Sequence, residues 1–255
     1  MRDDLGTDVA VAAPPRRVVS LVPSLTEAVA SSAPGVLVGA TDYCTHPEDL
    51  DVARVGGSKY PTVDRVLALR PDLVLANAEE NRREDVEALR AAGVPVWVTF
   101  PTTVPDALRS LRRMFAVLRL EAPGWLGEAE RVWAEPPGGP ARRAVVPVWR
   151  RPWVVLGRDT FAADVLYRLG VAVLDGGGGQ RYPRPSLTEI TGWRPDLVVL
   201  PDEPYRFSAD DGPEAFAGLP CALVSGRHLT WYGPSLARAR EVLSRQLAPA
   251  AWVRR

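Results

Sequence analysis

The sequence predicts an α/β protein of two Rossmann-like lobes, each with a mainly parallel sheet, joined by a bridging helix. Three observations carry this reading. The segment Arg-Pro-Asp-Leu-Val occurs at 70–74 and again at 194–198, inside a longer match of 61–76 with 185–200 that needs no gap. Short apolar runs alternate with helical patterns on both sides of the chain's middle, as parallel strands with crossover helices do. Between them, residues 103–134 are helical in pattern and contain no strand.

Each copy of the repeat has a mechanical reading. A proline and a hydroxyl residue, Thr62 or Ser186, start a short helix, and Ser186 with Glu189 has the spacing of a capping box. Pro71 and Pro195 end it, because proline pushes the preceding residue out of the right-handed helical region. The apolar run that follows reads as a buried strand.

In chain order, residues 1–15 read as a loose arm ending in Pro14-Pro15. A strand at 18–22 leads into a helix to about Ala30, which Ser24 and Glu27 are spaced to cap. A strand at 36–40 precedes the polar loop Thr41–Pro47, the glycine loop 55–60 and the first repeat unit. Asn81 and Glu84 are placed to cap a helix closed by Gly93, followed by a strand at 94–100. Pro123-Gly124 divides the helical bridge. The second lobe then shows strands near 144–148 and 153–156, a helix at 161–169, the glycine turn 176–179 and the second repeat unit. A strand at 222–224 and a helix at 235–247 close the chain. The expected divisions are an arm (1–15), a first lobe (16–102), a bridge (103–140) and a second lobe (141–255).

Charges balance at 31 against 31, which argues against nucleic acid or an anionic membrane as the partner. The two cysteines, Cys44 and Cys221, form no disulfide framework. The apolar run after Met1 is too short for a signal-peptide core, and no segment reaches the ~18 apolar residues of a membrane span. The expectation is a cytoplasmic protein, monomeric and not inserted in a membrane.

Open α/β sheets bind ligands beyond the carboxyl ends of their strands. The loops there concentrate Cys44 and His46, Lys59 and Tyr60, Glu79 and Glu80, Glu203 and Tyr205, and His228, Trp231 and Tyr232; Tyr43 and Arg227 complete the set of expected contacts. Cys44 and His46 stand two residues apart, a soft and a borderline donor, and His46, Cys44, Glu80, Glu203 and His228 form a candidate transition-metal set. The alternatives are a packed loop thiol at Cys44, a turn-bound His46, and packing aromatics at Trp231 and Tyr232. The chain lacks a Walker spacing, a Gly-x-Ser-x-Gly elbow and a His-Glu-x-x-His helix.

Several stretches together resemble the helical-backbone (class III) substrate-binding proteins of ABC importers, especially the vitamin B12-binding branch. They are Arg17-Val-Val-Ser-Leu-Val-Pro23-Ser24-Leu-Thr-Glu27, Thr41-Asp-Tyr-Cys-Thr-His-Pro47, the first repeat unit, and Trp231-Tyr-Gly-Pro234 before the last helix. The likeness runs over about 16–248, and an unsecreted subgroup with the same Cys-x-His and Pro-Asp-Glu-Pro-Tyr-x-Phe pieces is more similar still. The resemblance implies a ligand held in a cleft between two lobes. Pro23, Ser24 and Leu25 would line it, His46 would stand where that branch has a cleft tyrosine, and Trp153 and Tyr182 would supply second-lobe aromatics. Ser58 and Asn77 replace tryptophans and Arg227 replaces an acid. Asp64 and Glu189 would dock an importer permease, although Thr188 holds the second acid's usual place.

Three functions follow as expectations. The first is non-enzymatic binding of a metal-bearing small molecule, a corrinoid before others. The second is binding of a transition-metal ion, or of a metal–siderophore or haem. The third is a cytosolic metal-dependent enzyme that uses the same residues.

Overall fold

The computed structural model describes residues 1–253, so the last two residues of the expected second lobe lie outside it. It comprises two compact units. The first takes Met1–Pro101, Asp106–Glu128 and Tyr232–Pro234; the second takes Thr102–Pro105, Ala129–Trp231 and the residues from Ser235 onward. Both units have the mainly parallel α/β build that the sequence predicts.

In the first unit the apolar run at the start of the fold forms β1 (Val18–Ser20), fully buried, which leads into α1 (Pro23–Ala30). β2 (Leu37–Ala40) and β3 (Ala53–Arg54) follow, then α2 (Val63–Ala68), β4 (Leu73–Asn77), α3 (Arg83–Ala91) and β5 (Val96–Thr99). The sheet order is β3-β2-β1-β4-β5, all parallel. Val19, Leu21, Val74, Ala76, Val96 and Val98 form the core beneath it with Val66, Val86 and Leu89 from the helices. Burial on both faces explains why β4 reads as a continuous apolar run rather than an alternating one.

α4 (Val104–Val117) and α5 (Gly124–Val132) occupy the segment expected to bridge the lobes. Val104, Ala107, Leu108, Leu111, Met114, Phe115 and Leu118 are buried, the helical spacing of a single apolar face.

In the second unit β6 (Arg142–Val145) is followed by the antiparallel pair β7 (Pro147–Trp149) and β8 (Val154–Val155), then α6 (Phe161–Arg168) and β9 (Val171–Val173). α7 (Leu187–Gly192), β10 (Leu197–Pro201), β11 (Cys221–Val224), α8 (Gly226–Thr230) and α9 (Leu236–Gln246) complete it. The main sheet has the order β11-β10-β6-β9 and is parallel. β9 and α8 were not anticipated. β9 is only three residues long, and α8 lies in what reads as a polar loop.

The repeat is realised in matching detail. β4 pairs with β1 and β10 with β6, each repeat strand beside the first strand of its unit. Asp72 accepts the amides of Arg16 and Arg17 at 2.8 and 3.0 Å, and Asp196 accepts the amide of Arg143 at 2.8 Å. The guanidinium of Arg17 donates to Leu69 O, and that of Arg143 to Arg194 O. Arg70 and Arg194 end the two repeat helices with φ of 47° and 51°. This left-handed stop costs a non-glycine residue ~1–2 kcal/mol and fits the prolines that follow, which disfavour continuing the helix. The capping box predicted for Ser186 and Glu189 is present in both of its bonds.

Three local expectations fail. The arm is not loose: the Asp3 side chain is fully buried against Arg90, and Asp4 accepts from Ser110 Oγ, the Phe100 amide and Arg113. Charged hydrogen bonds hold it, and Val9 is buried. Ser24 does not cap α1, whose N-cap is Val22, and its hydroxyl is buried with no hydrogen-bond partner. Asn81 does not cap α3, because its side chain is spent on Leu21 O, Ser58 O and the Asn77 amide. No helix among the described residues is long and apolar enough to cross a membrane.

Candidate functional site

In the first unit the loops beyond the strand ends are tied by one hydrogen-bonded network. The Asn77 side-chain oxygen, at the end of β4, accepts the amides of Glu79 and Glu80 at 2.7 and 3.2 Å. The Asn77 backbone amide donates to Asn81 Oδ1, and Asn81 Nδ2 reaches Leu21 O beyond β1 and Ser58 O in the glycine loop. Ser58 Oγ contacts Thr41 Oγ1, which contacts Cys44 Sγ; Thr26 Oγ1 donates to the same sulfur at 3.0 Å. Tyr232 Oη accepts from Asn77 Nδ2 at 2.6 Å and pairs with Thr99 Oγ1 at 2.8 Å.

This arrangement separates the expected contacts into two groups. Tyr43 and Tyr60 are 67% and 69% exposed, and Lys59 is exposed with Nζ toward Glu79 O. Arg82 lies over the Tyr60 ring at 4.9 Å. Pro23, His46 and Glu80 are half-buried, and the Thr45 hydroxyl sits 3.1 Å from His46 Nδ1. These side chains present an aromatic surface that carries Lys59, Glu80 and the Arg82–Asp85 ion pair. Ser24, Leu25, Cys44 and Tyr232 are instead withdrawn into the unit. Leu25 is core, and Tyr232 is an internal hydrogen-bonding group whose phenol is pushed far up by burial and by the charge of Glu80.

Cys44 is held as a buried, hydrogen-bonded thiol. Burial raises its thiol above the ordinary value, outweighing the opposing Thr26 and Thr41 hydroxyls, so the sulfur stays protonated at neutral pH. Within either unit, among the described residues, no three His, Cys, Asp or Glu side chains are grouped to hold a metal ion. Of the five residues of the expected metal set, Cys44, His46 and Glu80 belong to the first unit, and Glu203 and His228 to the second.

In the second unit the Pro-Asp-Glu-Pro-Tyr-x-Phe stretch is largely structural. Asp202 accepts the Gly226 amide at the start of α8, and Glu203 accepts from Trp231 Nε1 at 3.2 Å. A side chain on Gly226 would come within 2.8 Å of the Glu203 backbone, so glycine is required there. Tyr205 donates to Asp211 at 2.6 Å; that bond holds the Asp211 carboxyl below, and the Tyr205 phenol above, their ordinary ranges. Arg150 pairs with Asp211 and Glu214 and lies over Trp153, which stacks on Phe207 at 6.3 Å. Trp153 thus packs against the core rather than standing open. Arg227 covers the Trp231 ring, only 7% exposed, and His228 Nδ1 lies 2.9 Å from Ser225 Oγ. Tyr182 and Trp149, the latter unanticipated, are 43% and 45% exposed.

Of the expected docking acids, Asp64 is exposed in the first turn of α2, whereas the Glu189 carboxylate accepts from both the amide and the hydroxyl of Ser186.

No protein-family model matches the chain. A vitamin B12-binding protein of Yersinia pestis (strain Pestoides F) is 34% identical over 100 residues, 38% of this chain and 36% of that protein. The match therefore spans about a third of the relative's length. Helicobacter pylori CeuE, solved as a nickel–histidine complex, superposes with a TM-score of 0.79 at 15% identity, covering 98% of this chain and 88% of that one. The haem-binding protein RhuT of Roseiflexus sp. RS-1 superposes with a TM-score of 0.72 at 19% identity, covering 92% and 99%. The fold is that of the class III substrate-binding proteins. The family likeness read from the sequence holds at the level of this fold, and the vitamin B12-binding relative carries it into the sequence itself.

Sequence reading missed Asn77 and Asn81 as organisers. The available signal was two asparagines four apart directly after a buried strand, where amides persist only if bonded. Arg82 and Trp149 carried no signal of their own.

Proposed function

We propose that this chain is a non-enzymatic binding protein for a metal-bearing small molecule, a corrinoid before a haem or metal chelate. The observation that carries the reading is the 34% identity to a vitamin B12-binding protein over 100 residues, on a chain with the class III fold. The surface chemistry supports it. In the first unit Tyr43 and Tyr60 are exposed and follow β2 and β3 of the parallel sheet, and in the second Trp149, at the end of β7, and Tyr182 are exposed; such rings offer apolar faces to a large planar ligand. Lys59, exposed beside Tyr60, suits an anionic substituent on such a ligand, whereas Arg82 is paired with Asp85.

A metal held by a macrocycle needs few protein donors, one axial group at most on each side, so a lone histidine such as His46 suffices. A bare ion needs about four donors at once, and within either unit, among the described residues, no three His, Cys, Asp or Glu side chains are grouped to hold one.

The test is the absorption spectrum and metal content of the protein purified without added ligand, followed by titration with cobinamide. A corrin spectrum, or saturable 1:1 binding of cobinamide, supports the reading. Stoichiometric zinc without a chromophore, together with no cobinamide binding, overturns it.

A further inference from the structure

Resting on that reading, we propose that Tyr232 and Asn77 are the positioning residues of the first unit's ligand loops, acting through one directed chain of hydrogen bonds. The direction follows from counting protons. Glu79 and Glu80 amides both donate to Asn77 Oδ1, so the amide nitrogen must face Tyr232. Thr99 Oγ1 gives its only proton to Ala76 O at 3.1 Å, so it accepts the phenolic proton of Tyr232. The chain therefore runs Asn77 to Tyr232 to Thr99 to Ala76, and one side-chain orientation of Asn77 satisfies it.

All of these groups are buried. Asn77 is 3% exposed, Tyr232 4% and Thr99 0%, so breaking the chain leaves a donor or acceptor without water to replace its partner. Fixing Asn77 fixes the Glu79–Glu80 turn. Through the Asn77 amide and Asn81, it also fixes the Ser58 carbonyl beside Lys59 and Tyr60. Tyr232 reaches this position from 155 residues away along the chain. The next residue, Gly233, passes so close to α1 that a Cβ there would meet Ser24 O at 2.9 Å. The Trp-Tyr-Gly-Pro stretch thus has a stated purpose. Tyr232 sets the turn after β4, and Gly233 permits the approach to the helix after β1.

The experiment compares Tyr232→Phe and Asn77→Asp with the natural chain, by hydrogen exchange at the Glu79 and Glu80 amides and by cobinamide titration. Tyr232→Phe removes the acceptor for Asn77 and the donor to Thr99 while keeping the ring. Exchange at both amides is expected to accelerate at least about tenfold, and cobinamide to bind at least about threefold more weakly. Asn77→Asp adds a readout that mere loss of packing would not give. Protonated, the carboxyl donates to Tyr232 as the amide did; ionised, it cannot, and it faces the nearby Glu80 charge. The donor to Tyr232 is therefore present at low pH and is lost as pH rises through the titration of that carboxyl. The natural chain, corrected for intrinsic exchange, is expected to show no such transition.

Unchanged exchange in Tyr232→Phe overturns the positioning role whatever the ligand. If that variant does not fold, the Asn77→Asp profile decides alone, and a flat profile overturns the proposal. Faster exchange with cobinamide affinity unchanged in a natural chain that does bind it shows that the turn is positioned but does not serve the ligand, which overturns the functional part. A natural chain that binds no cobinamide fails the ligand reading and leaves the exchange result to judge the positioning.

Discussion

Replacing Cys44 with alanine distinguishes a structural thiol from a metal donor, and the structure sets the size of the effect. The sulfur is fully buried, with Thr26 Oγ1 at 3.0 Å and Thr41 Oγ1 at 3.1 Å. Thr41 keeps Ser58 as a partner when the sulfur is removed, but among the described residues Thr26, also fully buried, has no other side-chain hydrogen bond. Leaving that hydroxyl unsatisfied costs about 1–3 kcal/mol. The lost sulfur volume adds about 1 kcal/mol. Cys44→Ala is therefore expected to destabilise the protein by about 3 kcal/mol in urea unfolding, and Cys44→Ser, which keeps an acceptor for Thr26, by about 1 kcal/mol. The native thiol should react with an aromatic disulfide reagent only on unfolding, since burial raises its pKa. Zinc affinity should be the same in all three proteins. The reasoning is refuted if Cys44→Ala costs under about 0.5 kcal/mol, or if either variant loses zinc binding at unchanged stability.

Further outcomes are expected elsewhere. His46→Ala should weaken cobinamide binding at least about tenfold, roughly 1.4 kcal/mol, with an unchanged melting temperature, because the half-buried loop imidazole contributes little to the core. Equal affinities in a titration would return His46 to a turn role. Asp4→Ala should cost about 2–4 kcal/mol in urea unfolding, since Ser110, Phe100 and Arg113 all donate to that carboxylate; a loose arm would show no change. Ser186 hydrogen bonds hold the Glu189 carboxyl below its ordinary range. The capping box should be fully formed above the ordinary carboxylate range and be lost as pH falls through that depressed value. NMR titration of the Ser186 amide follows it, and a shift unaffected by acid would contradict it.

The fold was legible because its signals are local and repeated. The match of 61–76 with 185–200 encoded helix, stop and strand in both units, and proline and the paired aspartates enforce the same geometry twice. What escaped was short or distant. β9 spans three residues, too few for a period to show. Ser24 and Asn81 had capping spacing, yet long-range demands decided both: Asn81 serves Leu21 and Ser58 rather than its own helix. The candidate site was legible by residue type at the strand ends and not by role. Tyr43 and Tyr60 are exposed as a contact surface requires, whereas Tyr232 bonds to Asn77 across 155 residues, a pairing no window of sequence reveals.

The central claim is that the chain binds a metal held in a macrocycle rather than a bare ion. Its most direct test is equilibrium titration of the purified protein with cobinamide, haemin and zinc, monitored by ligand absorbance and by quenching of the eight tryptophans. The expected result is saturable 1:1 binding of cobinamide or haemin with a Kd at or below about 1 μM, roughly −8 kcal/mol, with zinc neither binding at that level nor competing. Tight zinc binding with no saturable response to either macrocycle would contradict it.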